Sequence, residues 1–551
     1  MAASKAATNH VIVRPGMTIG SVAAETDDEF LYECFIDHPA VVSCQNIKSA
    51  GMIAAGRTGT GKTAILKHIE RASEHAIHID PSEMALSYVS NSDTLRFVEA
   101  IGGDLDLLFL ALWKHVLCIE FIRLKFSVND EEKSRKIFGR FWERFTTDQR
   151  KRKSLAYLKD WQGKFWISMD QNIKEITEKY EKGLQSEFGS DLAKFKAGGQ
   201  YDKRLSTERK SELVSRARKI INADQLSELA GVIDMLSDLS TDEWMTTYYI
   251  LIDELDKRWV DDNIRFKLIR ALIESLKQFR RIQNLKILVA LRSDVLERVV
   301  QETGDIGFQR EKYEDYFVRI RWSPAQLRDL VEQRIQLTFR RQYSNAQAVR
   351  FIDIFPHKVN NSDCFDYMLE RTLMRPRDII IFVNECLKVA ENRPEVTASQ
   401  VLEAEGEFSR GRRQSLEYEW RSAFPSLPRL LDYLKGIQRG AVLKFSDLCA
   451  KDSMTELVLQ IAEKRVDFDP LYLYAQRVCQ CQMTLEHFMR EVVDILYRVG
   501  AVGLKPSPQD RYYYSYIDQP VMVMSGIRID SRVKIHQMLH RAMGIEFARR
   551  R

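Results

Sequence analysis

The sequence predicts an α/β fold built on a parallel sheet, and three observations carry that prediction. The first is the stretch Gly56-Arg57-Thr58-Gly59-Thr60-Gly61-Lys62-Thr63. It lies between the apolar run Met52-Ile53-Ala54-Ala55 and a segment whose Ile65, Leu66 and Ile69 share one helical face. That succession reads as buried strand, loop and helix. The second is a pair of further apolar runs with polar ends. Tyr248-Tyr249-Ile250-Leu251-Ile252 runs into Asp253-Glu254, and Leu285-Lys286-Ile287-Leu288-Val289-Ala290-Leu291 runs into Arg292. The third is the helical periodicity that fills the chain between these runs, since parallel strands need long crossovers.

The first stretch fits the phosphate-loop pattern G-x-x-x-x-G-K-[ST] at every fixed position. Its glycines let successive backbone N–H groups turn inward, and the helix N-terminus adds partial positive charge. ATP is the expected ligand, bound by Gly56, Arg57, Thr58, Gly59, Thr60, Gly61, Lys62, Thr63 and Ala64. Lys62 is expected to reach the β- and γ-phosphates, and the Thr63 hydroxyl to ligate Mg2+.

Composition sets the outer bounds. The chain has 551 residues, enough for two to four domains, and its 45% hydrophobic and 29% charged residues are ordinary for a globular protein. A net charge of +5 permits a local basic face but does not argue for nucleic acid by itself. Cys34, Cys44, Cys118, Cys364, Cys386, Cys449, Cys479 and Cys481 are scattered and form no C-x-x-C pair. They read as reduced, packed thiols. The N-terminus lacks the apolar core of a signal peptide, and the apolar stretch 105–122 is interrupted by Asp106, Lys114, His115 and Glu120. That stretch reads as a buried helix, so the expectation is a cytoplasmic protein with no membrane partner.

Residues 1–15 read as a flexible N-terminus, and residues 25–47 as a helix with an acidic first turn that could wall an adenine pocket. Ala76-Ile77-His78-Ile79-Asp80 predicts a second strand, and residues 94–126 one or two amphipathic helices. From about 127 to 240 charge rises and apolar residues recur at helical intervals, which predicts a helical insertion. Its basic run Asp148-Gln149-Arg150-Lys151-Arg152-Lys153 reads as a solvated helix face. Asp253, at the end of its strand, is placed to help hold Mg2+. Glu254 beside it is the natural general base for the attacking water. Ligands of open α/β sheets bind at the carboxyl ends of strands, which places Arg292 to touch the γ-phosphate. Tyr316-Phe317-Val318-Arg319-Ile320-Arg321-Trp322 predicts the last strand of the sheet.

These motifs together resemble the additional-strand P-loop ATPases, and within them the AAA+ and STAND groups, over roughly residues 16–407. By that resemblance GRTGTGKT is a Walker A motif, YYILIDELD a Walker B motif, and ILVALR a sensor-1 strand. An arginine at that strand end is more like STAND than typical AAA+ members. The segment Met374-Arg375-Pro376-Arg377-Asp378 is similar to the lid motif of origin-recognition-like and STAND ATPases. The resemblance implies a helical lid and makes Arg377 the sensor-2 residue. Met374 stands where the family has glycine, and Arg375 leaves open which of the two arginines faces the site. The arrangement is also similar to an uncharacterised bacterial group of defence-associated P-loop ATPases.

The implied layout is a P-loop core over 16–323, a lid over 324–407 and a winged-helix-like domain over 408–551, with Arg410-Gly411-Arg412-Arg413 as hinge. In the last domain, helices at 454–463 and 483–498 precede a hairpin of Gly500-Ala501-Val502-Gly503-Leu504 with Arg511-Tyr512-Tyr513-Tyr514-Ser515-Tyr516. The function expected is a Mg2+-dependent ATPase switch of AAA+/STAND type, with ATP bridging core and lid through Lys62, Arg292 and Arg377. It would self-associate or act through an effector protein, in a setting of bacterial anti-phage defence. Arg280, Arg281, Arg298 and Arg310 are candidate trans-acting arginines. The alternative is an initiator- or loader-type ATPase whose winged helix grips nucleic acid. A scaffold that binds ATP without hydrolysis is the third reading, and the Asp253-Glu254 pair argues against it.

Overall fold

The computed structural model describes residues 11–82, 95, 97–98, 105–127, 136, 149, 152, 155–156, 169–193, 206–220, 223–240, 245–257, 259–260, 262–302, 310–343, 349–437, 440–466, 468–518 and 526–545. The chain forms two compact units. One comprises His38–Gly56 and Lys62–Arg319; the other comprises Met1–Asp37, Arg57–Gly61 and Ile320–Arg551.

The first unit is a five-stranded sheet, wholly parallel, with helices. Helices α1 (Asp28–Glu33) and α2 (Pro39–Gln45) stand where a single helix over 25–47 was expected. Pro39 begins α2 at the position where a missing N–H costs nothing, and the His38 side chain accepts from the Ala40 N–H. The division between the units falls between these helices, so only α2 belongs to the sheet unit. Strand β1 (Ile53–Gly56) leads into α3 (Lys62–Ala72), and β2 (Ala76–Ile79) follows. The later strands are β3 (Tyr248–Ile252), β4 (Leu285–Arg292) and β5 (Phe317–Arg319).

The spatial order is β2-β3-β4-β1-β5, with β4 standing between the loop strand β1 and the acid-bearing strand β3. Register pairs Gly56 with Arg292 and Ile252 with Val289, so the polar ends of these strands gather at one edge. β3 and β4 are buried on both faces, which is why they read as continuous apolar runs.

Between β2 and β3 lie α4 (Asp106–Phe126), in the helical stretch expected at 94–126, and α5 (Met169–Phe188), α6 (Thr207–Ile220) and α7 (Ala223–Ser240), in the insertion expected at about 127–240. After β3, α8 (Asp262–Phe279) packs with α7 on α4. The Trp113 indole N–H, inside α4, donates to the Leu268 carbonyl at 2.8 Å. Lys114, His115 and Glu120 are buried with the apolar residues of α4, and Glu120 accepts from Arg123 at 2.8 Å. Among the described residues no helix is long and apolar enough to cross a membrane. The basic run at 148–153 lies outside the described residues except for Gln149 and Arg152, both exposed.

The second unit is helical with a small three-stranded sheet and a two-stranded pairing of Lys358–Val359 with Ser362–Asp363. α10 (Pro324–Gln342) follows α9 (Ser293–Glu302) of the sheet unit and is opened by a capping box from Ser323 and Gln326. Then come α11 (Cys364–Leu369), α12 (Pro376–Val389) and α13 (Ala398–Glu419), with Phe382 and Phe408 stacked at 4.4 Å. The N-terminal segment corrects an expectation. Val13 is fully buried and pairs its backbone with Asn392 and Arg393, so residues 11–15 are packed rather than frayed; residues 1–10 lie outside the described set. Farther on, Arg334 of α10 donates to the Ile19 carbonyl and to Asp27.

The hinge expected at Arg410-Gly411-Arg412-Arg413 is instead the middle of α13, which runs unbroken through it. A helical glycine costs about 1 kcal/mol. Here Arg412 binds Asp378 at 3.0 Å, and Arg413 binds Glu417 at 3.0 Å and Asp432 at 2.5 Å.

Beyond lie α14 (Leu427–Ile437), β6 (Val442–Lys444), α15 (Lys451–Glu463), α16 (Pro470–Cys479), α17 (Leu485–Arg498), β7 (Val502–Lys505) and β8 (Arg532–Ile535). The helices at 454–463 and 483–498 are found, but the hairpin pairing differs. β7 pairs with β8, and 511–516 contributes only the Tyr513–Leu504 bridge. The β-branched spacing of 532–535 is too short a signal to have named the true partner strand from sequence.

Candidate functional site

At the strand ends of the sheet unit, Gly56 closes β1, and Lys62, Thr63 and Ala64 begin α3. The Lys62 side chain is buried, and its Nζ donates to the Gly56 carbonyl at 3.1 Å. Asp253, buried just beyond β3, accepts a hydrogen bond from the Thr63 hydroxyl and another from the Glu254 N–H at 2.8 Å. Glu254 takes a left-handed backbone, φ +63°, which costs a non-glycine residue about 1–3 kcal/mol. Its carboxylate meets the exposed Lys257 at 2.6 Å. Arg292 is gripped by Asp294 at 2.9 and 2.8 Å and by Asp256 at 2.8 Å. Asp256 was not singled out from sequence, although it lies three residues after Asp253 in the same acidic turn.

Burial and charge set the protonation here. Burial pulls the Lys62 amine down to about 8, against the opposing pull of Asp253, and burial pushes the Asp253 carboxyl up while the Thr63 bond opposes it. A triphosphate needs the ammonium form of Lys62. ATP affinity is therefore expected to hold below about pH 8 and to fall by up to tenfold per unit above it. Titration calorimetry from pH 7 to 9.5 reads this, and Lys62→Arg, charged throughout, should lose the dependence. Folding stability should rise with pH between about 8 and 10.5, where the unfolded chain holds more protons than the folded one.

Residues Arg57–Gly61 belong to the second unit, where both side chains and backbone groups hold them. Arg375 Nη1 donates to the Thr58 carbonyl at 2.6 Å, the Arg377 N–H to the Gly59 carbonyl at 3.3 Å, and Trp322 Nε1 to the Thr60 carbonyl at 2.9 Å. Across a trans peptide the carbonyl and the following N–H point opposite ways. These bonds therefore turn the Gly59 and Gly61 N–H groups to the other side, while the Thr60 N–H donates to the Arg57 carbonyl at 3.3 Å. Thr60 Oγ1 closes the turn on the Arg57 carbonyl at 2.8 Å.

Gly59 has φ +80°, and a Cβ there would lie 2.5 Å from Cβ of Arg377. Gly59→Ala should lower stability by about 1–3 kcal/mol and displace Arg377, read as a reduced melting temperature together with lost ATP binding.

Arg57, at a variable position of the motif, points away from the loop. Its Nε binds Glu419 at 3.1 Å, its Nη2 donates to the Val499 carbonyl at 2.8 Å, and it lies over the Trp420 ring. Glu419 also receives Arg375 at 2.9 Å, and Arg375 binds Asp378 at 2.8 Å. Burial would raise the Glu419 carboxyl, but Arg57 and Arg375 outweigh it and hold it far below the carboxylate range. Of the two lid arginines, Arg375 is thus consumed in a buried network, while Arg377 is half-buried with Nε on the Val22 carbonyl. Met374 itself takes the left-handed φ, +53°, that suits the glycine it replaces.

Residues 325–417 match the FunZ-associated C-terminal helical domain. The match runs from α10 to near the end of α13 and includes Arg375, Arg377, Asp378 and Arg412. No curated protein matches the chain. Glu419, Trp322 and Val499 lie outside the matched segment. No spacing rule ties them to residue 57, so the sequence reading missed them.

Among the candidate trans-acting arginines, Arg281 pairs with Asp234 at 2.7 Å, Arg280 lies over Tyr316, and Arg298 is buried over Phe266. The side chain of Arg310 lies outside the described residues. No cluster of three or more His, Cys, Asp or Glu suited to a metal occurs among the described residues.

Proposed function

We propose that this chain binds Mg-ATP and hydrolyses it as a molecular switch of the AAA+/STAND type. The observation that carries the reading is the Thr63–Asp253 hydrogen bond beside the buried Lys62. It joins the threonine of the glycine-rich motif to the acid of a strand two places away, across the interposed β4. That interposed strand supports the additional-strand reading. Mg2+ arriving with a triphosphate takes one or two protein oxygens and keeps several waters, so a hydroxyl and one carboxylate suit it. When bound, it would neutralise charge on the phosphates. Lys62 binds and orients the phosphates, and Glu254 accepts the proton of the attacking water.

The switch follows from how the loop is held. Arg57–Gly61 hangs on Trp322, on Arg375 and Arg377 of the lid and, through Arg57, on Glu419 and the Val499 carbonyl. An anion on the loop N–H groups therefore biases the ends of α13 and α17. Such coupling of phosphate to segment order is how nucleotide switches report their state. The FunZ-associated match supports a defence setting, with cytoplasmic localisation and self-association as parts of the same proposal. The test is ATP turnover and ATP-dependent assembly of the purified chain. Slow Mg2+-dependent turnover, with ATP-driven assembly that persists in Glu254→Gln, is expected. No ATP binding at millimolar nucleotide would end the reading.

A further inference from the structure

The small sheet of the second unit has two unlike faces. Antiparallel register places Leu443, Val533 and Leu504 opposite one another, and all three are buried. The next row, on the other face, is Lys444, Arg532 and Lys505, one cation from each strand and directly opposed. Lys444 and Arg532 are exposed and Lys505 half-buried. Lys534, two residues along β8, adds a fourth cation to this face, its Nζ 5.5 Å from the Tyr512 ring. Like charges directly opposite destabilise a sheet. Among the described residues none of these four has a carboxylate within ion-pair distance; Asp447 caps the Lys444 N–H, and Glu370 faces Tyr514. The described contacts of these cations are with Tyr512, which takes Lys534 over its ring and a hydrogen bond from Arg532, and not with carboxylates.

Helix α17, before the sheet, is the opposite case. Its arginines are paired within the helix, Arg490 with Glu486 at 2.6 Å and the exposed Arg498 with the buried Asp494 at 2.7 Å. Both arginines of α17 are thus engaged by carboxylates of their own helix. We infer that the Lys444–Arg532–Lys505 row, with Lys534, is a docking surface for the phosphate backbone of duplex DNA, and that α17 takes no part in it.

The aromatic residues decide between duplex and single strand. Splayed bases need an exposed ring to stack on. Tyr514 covers Gly503, Tyr516 is bound to His536 at 2.6 Å, and Tyr513 is bridged to Leu504. Tyr512 also borders the row, and it is occupied by Lys534 and Arg532. The face offers charge without a stacking platform. The strands lie about 4.8 Å apart, so the row spans roughly 10 Å of backbone and reads no base edge.

This inference does not rest on nucleotide binding, and its test contains none. Fluorescence anisotropy of the full chain on a labelled 30-base-pair duplex of mixed sequence is measured from 50 to 200 mM salt, beside the same strand unpaired. Duplex binding should weaken about 10²-fold over that range, as about four phosphate contacts require. Arg532→Gln and Lys505→Gln should each reduce the slope of log affinity against log salt by about 1. Lys444→Gln, also exposed, repeats the test on another strand. Arg490→Gln with Arg498→Gln should leave binding unchanged. Absence of duplex binding at 50 mM salt, an unaltered slope in the sheet variants, loss through the α17 variants, or preference for the single strand would each overturn the inference.

Discussion

Glu254→Gln is expected to slow ATP turnover by about 10²–10⁴-fold while leaving ATP affinity nearly unchanged. The amide keeps the size and shape of the side chain but cannot accept the proton of an attacking water. The surroundings make the substitution clean. The partner of Glu254 in the fold is the exposed Lys257, and exposed pairs are worth at most about 1 kcal/mol. The strained φ of +63° is held by the Asp253–Glu254 N–H bond, which glutamine retains. Asp253→Asn should act differently, weakening the response to Mg2+ and loosening Thr63. Single-turnover kinetics with Mg2+ titrations separates the two. Equal loss of ATP binding in both variants would remove Glu254 from the role of base.

Glu419→Ala should destabilise the second unit by about 3–5 kcal/mol, because it leaves the buried cations of Arg57 and Arg375 without their shared anion. Glu407→Ala, on the same helix but in an exposed pair with Arg410, should cost at most about 1 kcal/mol. Urea unfolding of both variants reads the difference directly. The sign with pH follows. The Glu419 carboxyl is depressed in the fold, so its contribution is fully present above the ordinary glutamate range near 4.5 and is lost as pH falls below it. The stability gap between wild type and Glu419→Ala should therefore close in acid. A gap that stays constant down to pH 3 would show that packing, not charge, holds this junction.

The loop was legible because its chemistry is local: glycines for left-handed turns, a lysine and a threonine at a helix start. Gly59 and Gly61 do adopt positive φ, and Lys62 and Thr63 do open α3. The strands β3 and β4 were equally legible, because burial on both faces leaves an unbroken apolar run. The helical insertion showed itself by period, and the lid by its resemblance to other chains.

What lay beyond the sequence depends on contacts between residues hundreds of positions apart. Nothing in GRTGTGKT says that Arg57 should leave the loop for Glu419, or that Arg375 rather than Arg377 should be consumed in a buried network. The strand paired with Val502–Lys505 was likewise undecided, since a four-residue run specifies a strand but not its neighbour. The sequence by itself determined a parallel sheet carrying a glycine-rich loop and two adjacent acids, because those features are written in short-range spacing. The tertiary structure alone decided which arginines hold the loop, which carboxylates hold Arg292, and which face of the small sheet collects its cations. Register and long-range ion pairing set those outcomes, and neither leaves a local signature in the chain.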